Sequence, residues 1–171
     1  MTTIQPITTA TALPAGTWRV DPDHSTVGFE VRDMTNLFAT VHGRFTDYEA
    51  TLDVTPTGAR ASAAIRVASL TTDHVQRDDD LRSEQFLDCA AHPEIRFASD
   101  SIELVEKGRI SLHGRLELKG AEHHVQLDGE VLGVGRDHQD SERLAIAVRG
   151  AFPFGPMTVD LVLDVSATSG R

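Results

Sequence analysis

Cysteine is almost missing from this chain of 171 residues: Cys89 stands alone, so an intramolecular disulfide framework is excluded. No base lies beside it in sequence, and it reads as a small, half-buried apolar residue after Leu87 rather than as a nucleophile. Long apolar runs are missing too. Nothing approaches the roughly 20 apolar residues of a membrane-spanning helix. The first 16 residues, rich in Thr, Ala and Pro, lack both the Lys or Arg and the continuous apolar run of a secretory signal. The expectation is a flexible leader over 1–16 on a cytoplasmic protein without stable membrane insertion. Basic residues are in deficit, 16 against 26 acidic for a net charge of −10, which argues against nucleic acid or an anionic membrane face as partner.

Metal and catalytic signatures are lacking as well. Eight histidines are present, but none falls in an HExxH or comparable ligand pattern. His123 and His124 are neighbours on a strand and point to opposite faces. His42 and His113 lie out of register with the apolar face and are expected at the surface. Asp78, Asp79 and Asp80 fan out by about 100° per residue on a helix and cannot all ligate one ion. The reading is no metal, no catalytic residues and no enzyme.

What the sequence does have is short-period alternation. Trp18 and Val20 precede a turn at Asp21-Pro22-Asp23. Val27, Phe29 and Val31 alternate with polar or small residues, as do Val41, Gly43 and Phe45, then Leu52 and Val54, then Ala61, Ala63, Ile65 and Val67. After residue 94 the pattern resumes through Ile95, Phe97, Ile102 and Leu104. It continues in 110–118, 125–131, 144–152 and 159–165, with turns at Lys107-Gly108, Lys119-Gly120 and Pro153–Pro156 and a polar loop over 135–142. About nine strands with short connections predict an all-β fold, an antiparallel barrel of about eight strands. One domain over 17–166 with a disordered tail at 167–171 suits the length.

The periodicity breaks between Leu70 and Phe97, a stretch too long for a structureless loop in a compact domain. Two short helices are expected there. Thr72 or Asp73 would cap a first one running through Leu81, and Ser83 a second in which Glu84 meets the positive end of the dipole and Phe86 and Leu87 face inward. Arg77, Asp78 and Arg82 are expected to tie this helical insert to the barrel. Met34 to Ala39 is expected as a helical turn across a barrel mouth, serving as a core cap or as a ligand gate.

Four strands carry glycine in the apolar register, at Gly43, Gly114, Gly129 and Gly150. Two readings stand side by side: the glycines let coiled strands bend, or they leave space that packing would otherwise fill. A barrel of this size either fills itself or holds one ligand. The predicted lining is Val27, Phe29 and Val31; Val41 and Phe45; Ile65 and Val67; Phe86; Ile95 and Phe97; and Leu112, Leu116, Leu127 and Val148. It is wholly aliphatic and aromatic, so a guest would be a long apolar molecule held by burial at about 25 cal/mol per Å². The alternatives are a filled barrel acting as a stress-related or interaction protein, and an enzyme working at the mouth through His74 or His24.

Two segments carry a family resemblance. One runs His74-x-x-Arg77-Asp78-x-x-Leu81-Arg82-Ser83-x-x-Phe86-Leu87-Asp88, followed by His92-Pro93-x-Ile95-x-Phe97-x-Ser99. The other is Asp21-Pro22-Asp23-His24-Ser25-x-Val27-x-Phe29-x-Val31-Arg32. Together they resemble the YceI-like, polyisoprenoid-binding family of lipocalin-like barrels over Thr17 to about Val165. The chain departs from the family pattern at Asp33 and Asp80, where His is usual, and at Leu87, where a second Phe is common. Phe152-Pro-Phe-Gly-Pro156 stands where relatives carry a longer loop, which implies a more open tunnel or a shorter guest. The resemblance implies binding of a polyprenyl chain or quinone tail as ligand, no other cofactor, and a possible homodimer. Many relatives are exported, so this chain would be an intracellular branch.

Overall fold

The structure, a computed structural model, describes residues 13–33 and 39–169. Alternation is realised as eleven strands: β1 (Gly16–Val20), β2 (Thr26–Asp33), β3 (Ala39–Phe45), β4 (Tyr48–Thr55), β5 (Gly58–Arg66), β6 (Leu70–Thr71), β7 (Glu94–Leu104), β8 (Arg109–Leu118), β9 (Ala121–Arg136), β10 (Glu142–Phe154) and β11 (Met157–Ser169). All pairings are antiparallel. Eight strands close a ring in the order β1-β4-β5-β7-β8-β9-β10-β11, with β11 returning to β1. The barrel expected from the sequence is therefore present.

The ring has a fork. Val159–Asp164 of β11 pair with β2, whereas Ala167–Ser169 pair with β1. Between them the chain turns a polar corner, where Asp21 caps a short 3₁₀ turn at Pro22–His24 by accepting from the Asp23 amide. The corner continues the ladder of β11. The Asp21 amide donates to Ser166 O at 2.8 Å, and Ser25 Oγ and the Ser166 backbone exchange two bonds. Beyond the fork β3 pairs with β2 along its length, but on its other edge only with the two residues of β6. The barrel wall is thus loosely closed beside β3.

Two buried clusters fill much of the interior. The lower one centres on Trp18, Leu112, Leu127, Leu144 and Val148, and the upper one on Tyr48, Ile65, Val67, Ile95, Leu116, Val125 and Phe152. The insert lies at the upper end. Leu87 and Cys89 pack onto the upper cluster, Lys119 Nζ donates to Glu84 O at 2.8 Å, and the His92 ring lies against Gly120 in the β8–β9 turn.

Several expectations are corrected. One helix forms in the insert, α1 (Val75–Arg82), and its N-cap is His74, whose Nδ1 accepts from the Arg77 amide. Ser83 does not start a second helix. Its hydroxyl donates back to Asp80 O, and its carbonyl accepts from the Phe86 and Asp88 amides in a run of turns with Asp88 at φ 50°. An isolated second helix would have gained little, since nucleation is costly and so few residues follow before Pro93. Val67 sits in a 3₁₀ turn rather than a strand. The fold also extends past the expected limits: Leu13 packs against the lower core and Ala167 is buried in β11. Residues 1–12 of the expected leader, residues 34–38 of the turn expected over Met34 to Ala39, and 170–171 lie outside the described residues, and Ala39 opens β3 instead of ending a helical turn.

Candidate functional site

The inner face of β3, β2, β11 and β10 can be read rung by rung from the registers. Val41, Val31, Val159 and Phe152 form one rung; Gly43, Phe29, Leu161 and Gly150 the next; Phe45, Val27, Leu163 and Val148 the third. Every side chain on these rungs is apolar. Burial along them is uneven. Phe152, Val148 and Phe29 are buried, whereas Val27, Val31, Val41, Phe45, Val159, Leu161 and Leu163 retain partial exposure. The opposite wall shows no such exposure, since the inward apolar residues of β8 and of β9 up to its bulge are all buried. The interior is therefore packed along β8 and β9 and open along β2, β3 and β11.

The glycines settle between their two readings by position. At Gly43 the Phe29 ring occupies the place a side chain would take, and this ring also meets Phe45 at a centroid distance of 5.6 Å. At Gly114 the Phe97 ring does the same, 2.6 Å from an added Cβ. At Gly129 the backbone of Ala147 and Val148 approaches directly, and at Gly150 the Gln126 carbonyl and the Leu127 side chain do. The space is filled in each case, by aromatic cover or by close strand approach. The open volume comes from the loosely paired wall, not from missing side chains.

Of the residues expected to line the interior, Leu112, Leu127 and Val148 belong to the lower core and Ile65, Val67, Ile95 and Leu116 to the upper, with Phe97 packed against both. Val27, Phe29, Val31, Val41 and Phe45 share the three rungs. Phe86 stands apart, half-buried in the turns after α1 and packed against neither core. The expectation omitted Val159, Leu161 and Leu163, although their alternation is as regular as that of β2. It also omitted Tyr48, although Tyr48 shares the register of Leu52 and Val54 on β4.

Polar groups serve mainly to hold this architecture. Asp78, buried on α1, accepts from the Thr72 amide at 2.7 Å and from Thr72 Oγ1 at 2.5 Å, while Arg77 donates to Thr72 Oγ1 and O and Arg82 to Leu70 O. Burial opposes the charge on Asp78, but the bonds from Thr72 outweigh it and hold the carboxyl below its ordinary range. At the fork, Arg143 bridges Asp21 and Asp137 at 2.7 and 2.8 Å. Its hydrogen bonds bring both carboxyls to about 2. His24 Nδ1 sits 2.8 Å from Asp21, and His42 contacts Glu30 on the outer surface. Among the described residues no group of three His, Cys, Asp or Glu side chains is placed to hold a metal ion. A second concavity, about 460 Å³ on the outer face of β4, β5, β7 and β8, is floored by Thr51, Ser62, Ala64 and Ala98 and rimmed by Glu49, Arg96, Arg115 and Glu117.

A closed antiparallel barrel with an apolar interior and a helical insert at one end defines the class. Comparison with known proteins narrows it: residues 18–164 match the YceI-like domain, and the chain belongs to that family. It is 28% identical to Protein YceI of Salmonella newport over 148 residues, which cover 84% of this chain and 75% of the relative. Three solved structures share the fold. A Campylobacter jejuni YceI protein aligns with a TM-score of 0.70 at 21% identity, covering 78% of this chain and 87% of its own. Burkholderia cenocepacia BcnA aligns at 0.69 and 19%, covering 87% and 99%. A polyisoprenoid-binding domain from Saccharophagus degradans, implicated in plant cell wall breakdown, aligns at 0.66 and 13%, covering 90% and 98%.

Proposed function

We propose that this barrel binds an isoprenoid-like apolar lipid, a polyprenyl chain or quinone tail, and carries or stores it without catalysis. The observation that carries the reading is the set of three all-apolar rungs in which Val27, Val31, Val41, Phe45, Val159, Leu161 and Leu163 stay partly exposed on the inner face. Partial exposure of so many apolar side chains costs free energy that a guest would recover, at about 25 cal/mol per Å² covered. Likeness of fold to a polyisoprenoid-binding domain supports the same ligand class. The histidines considered for catalysis have structural partners instead: His24 pairs with Asp21 and His74 caps α1.

The test is native mass spectrometry of the purified protein, followed by organic extraction and identification of whatever accompanies it. A stoichiometric isoprenoid supports the reading. A bare mass that persists after incubation with isoprenoids replaces it with the filled-barrel alternative, which the aromatic and backbone filling at Gly43, Gly114 and Gly129 would then explain.

A further inference from the structure

Phe29 stands at the middle of the three rungs, with Val31 and Val41 on the rung before it and Val27 and Phe45 on the rung after. It is 8% exposed, while those four neighbours all keep partial exposure. The difference lies in where its ring points. A Cβ added at Gly43, its partner on β3, would collide with the ring tip at Cζ, Cε1 and Cε2, so the ring lies along the wall from β2 to β3 instead of across the interior. The Phe45 ring leans on it at 5.6 Å, tilted by 46°. Glycine weakens a strand interior; here it supplies the recess that receives an aromatic ring.

The rest of the middle rung offers little obstruction, since Gly150 carries no side chain and Leu161 is half-buried. Passage from the first rung to the third therefore depends on one ring. Phenylalanine on a strand has two common staggered settings at χ1, and with the recess filled the ring must leave the wall for the open interior. Rungs two residues apart are separated by about 7 Å. A tail that passes the ring thus reaches about 14 Å into the site, and one stopped there about half as far. The third rung is the floor, because Val148 belongs to the packed lower cluster and Leu163 packs against it.

We propose that Gly43 parks the Phe29 ring against the wall and that this pair sets how long an apolar tail the site accepts. The inference rests on the lipid-binding reading above and adds a length limit to it.

Equilibrium dialysis with two isoprenoid alcohols, geraniol and the longer farnesol, tests the pair. The wild type should hold farnesol at least about tenfold more tightly, because the extra isoprene unit buries several more carbons. In Gly43→Ala the displaced ring should bring the two affinities within about threefold of each other. The double variant Gly43→Ala with Phe29→Ala should regain the preference, with native Trp18 emission confirming the fold of both variants. The wild type also decides the point without any variant: in methyl NMR, farnesol should shift Val31 on one side of the ring and Val27 and Leu163 on the other. Equal wild-type affinities, a farnesol preference that survives in Gly43→Ala, no recovery in the folded double variant, or shifts confined to Val31 would overturn the length limit, while geraniol binding keeps the lipid-binding reading. Binding of neither alcohol would remove both.

Discussion

At the scale of the residue, the molecule is governed by what fills or leaves space on the inner face. Gly129 lies where the Ala147 and Val148 backbone crosses it, so even one added methyl group must push two strands apart. Gly129→Ala is expected to cost about 1–3 kcal/mol, read as a lowered urea midpoint with unchanged slope. An unchanged midpoint would mean that the strands yield freely there. Val41 presents the opposite situation, half-exposed on the open wall and in neither core. Val41→Asp should leave thermal stability nearly unchanged, because the carboxylate keeps its water in the empty protein. Lipid retention should disappear, because a guest would have to desolvate that charge. Native mass spectra of the variant check this, and a retained lipid would place the guest elsewhere.

At the scale of the element, the fork and the insert are held by hydrogen-bonded carboxylates. Asp21 and Asp137 are both lowered to about 2 through Arg143, against an ordinary aspartate value of about 3.9 in the unfolded chain. A depressed folded pKa gives stability that is fully present above the unfolded value and is lost as pH falls through the folded one. Stability should therefore decline between about pH 4 and pH 2. Arg143→Met should lower the urea midpoint at neutral pH and flatten that acid limb. A limb equally steep in the variant would assign acid sensitivity to other carboxylates, Asp78 and Asp128 first, since both are also lowered. The insert follows the same logic: eight residues of helix are marginal alone, and the Thr72–Asp78 pair supplies the anchoring that an apolar helix face would otherwise provide.

At the scale of the whole molecule, closure depends on strands from the two ends of the chain, with Trp18 opposite Ser169 and Val20 opposite Ala167. Pairing at such separation carries a large loop-closure cost and makes folding slow. Trp18 is the only tryptophan and is 1% exposed in the lower core, so its fluorescence reports closure. Removing residues 167–171 should shift its emission to the red and lower the Tm, since Ala167 leaves the core and β1 loses one of its two neighbours. A native emission spectrum in the truncated protein would show that β4 alone secures β1.

The sequence by itself determined the all-β character, most of the strand positions, the closure of the sheet and the exposed polar face, because the period-2 pattern of apolar residues is local and each of the longer strands carries its own copy. It also determined that Arg77, Asp78 and Arg82 anchor the insert. Only the tertiary structure decided how β11 divides between β1 and β2, which wall stays open, and that the glycines are covered by Phe29 and Phe97 or by neighbouring backbone. Those outcomes depend on which strand lies beside which, and pairing partners far apart in the chain leave no trace in local alternation. Tyr48 shows the limit too: only the fold sets this tyrosine at the start of β4 opposite Ile65 and buries it in the upper core.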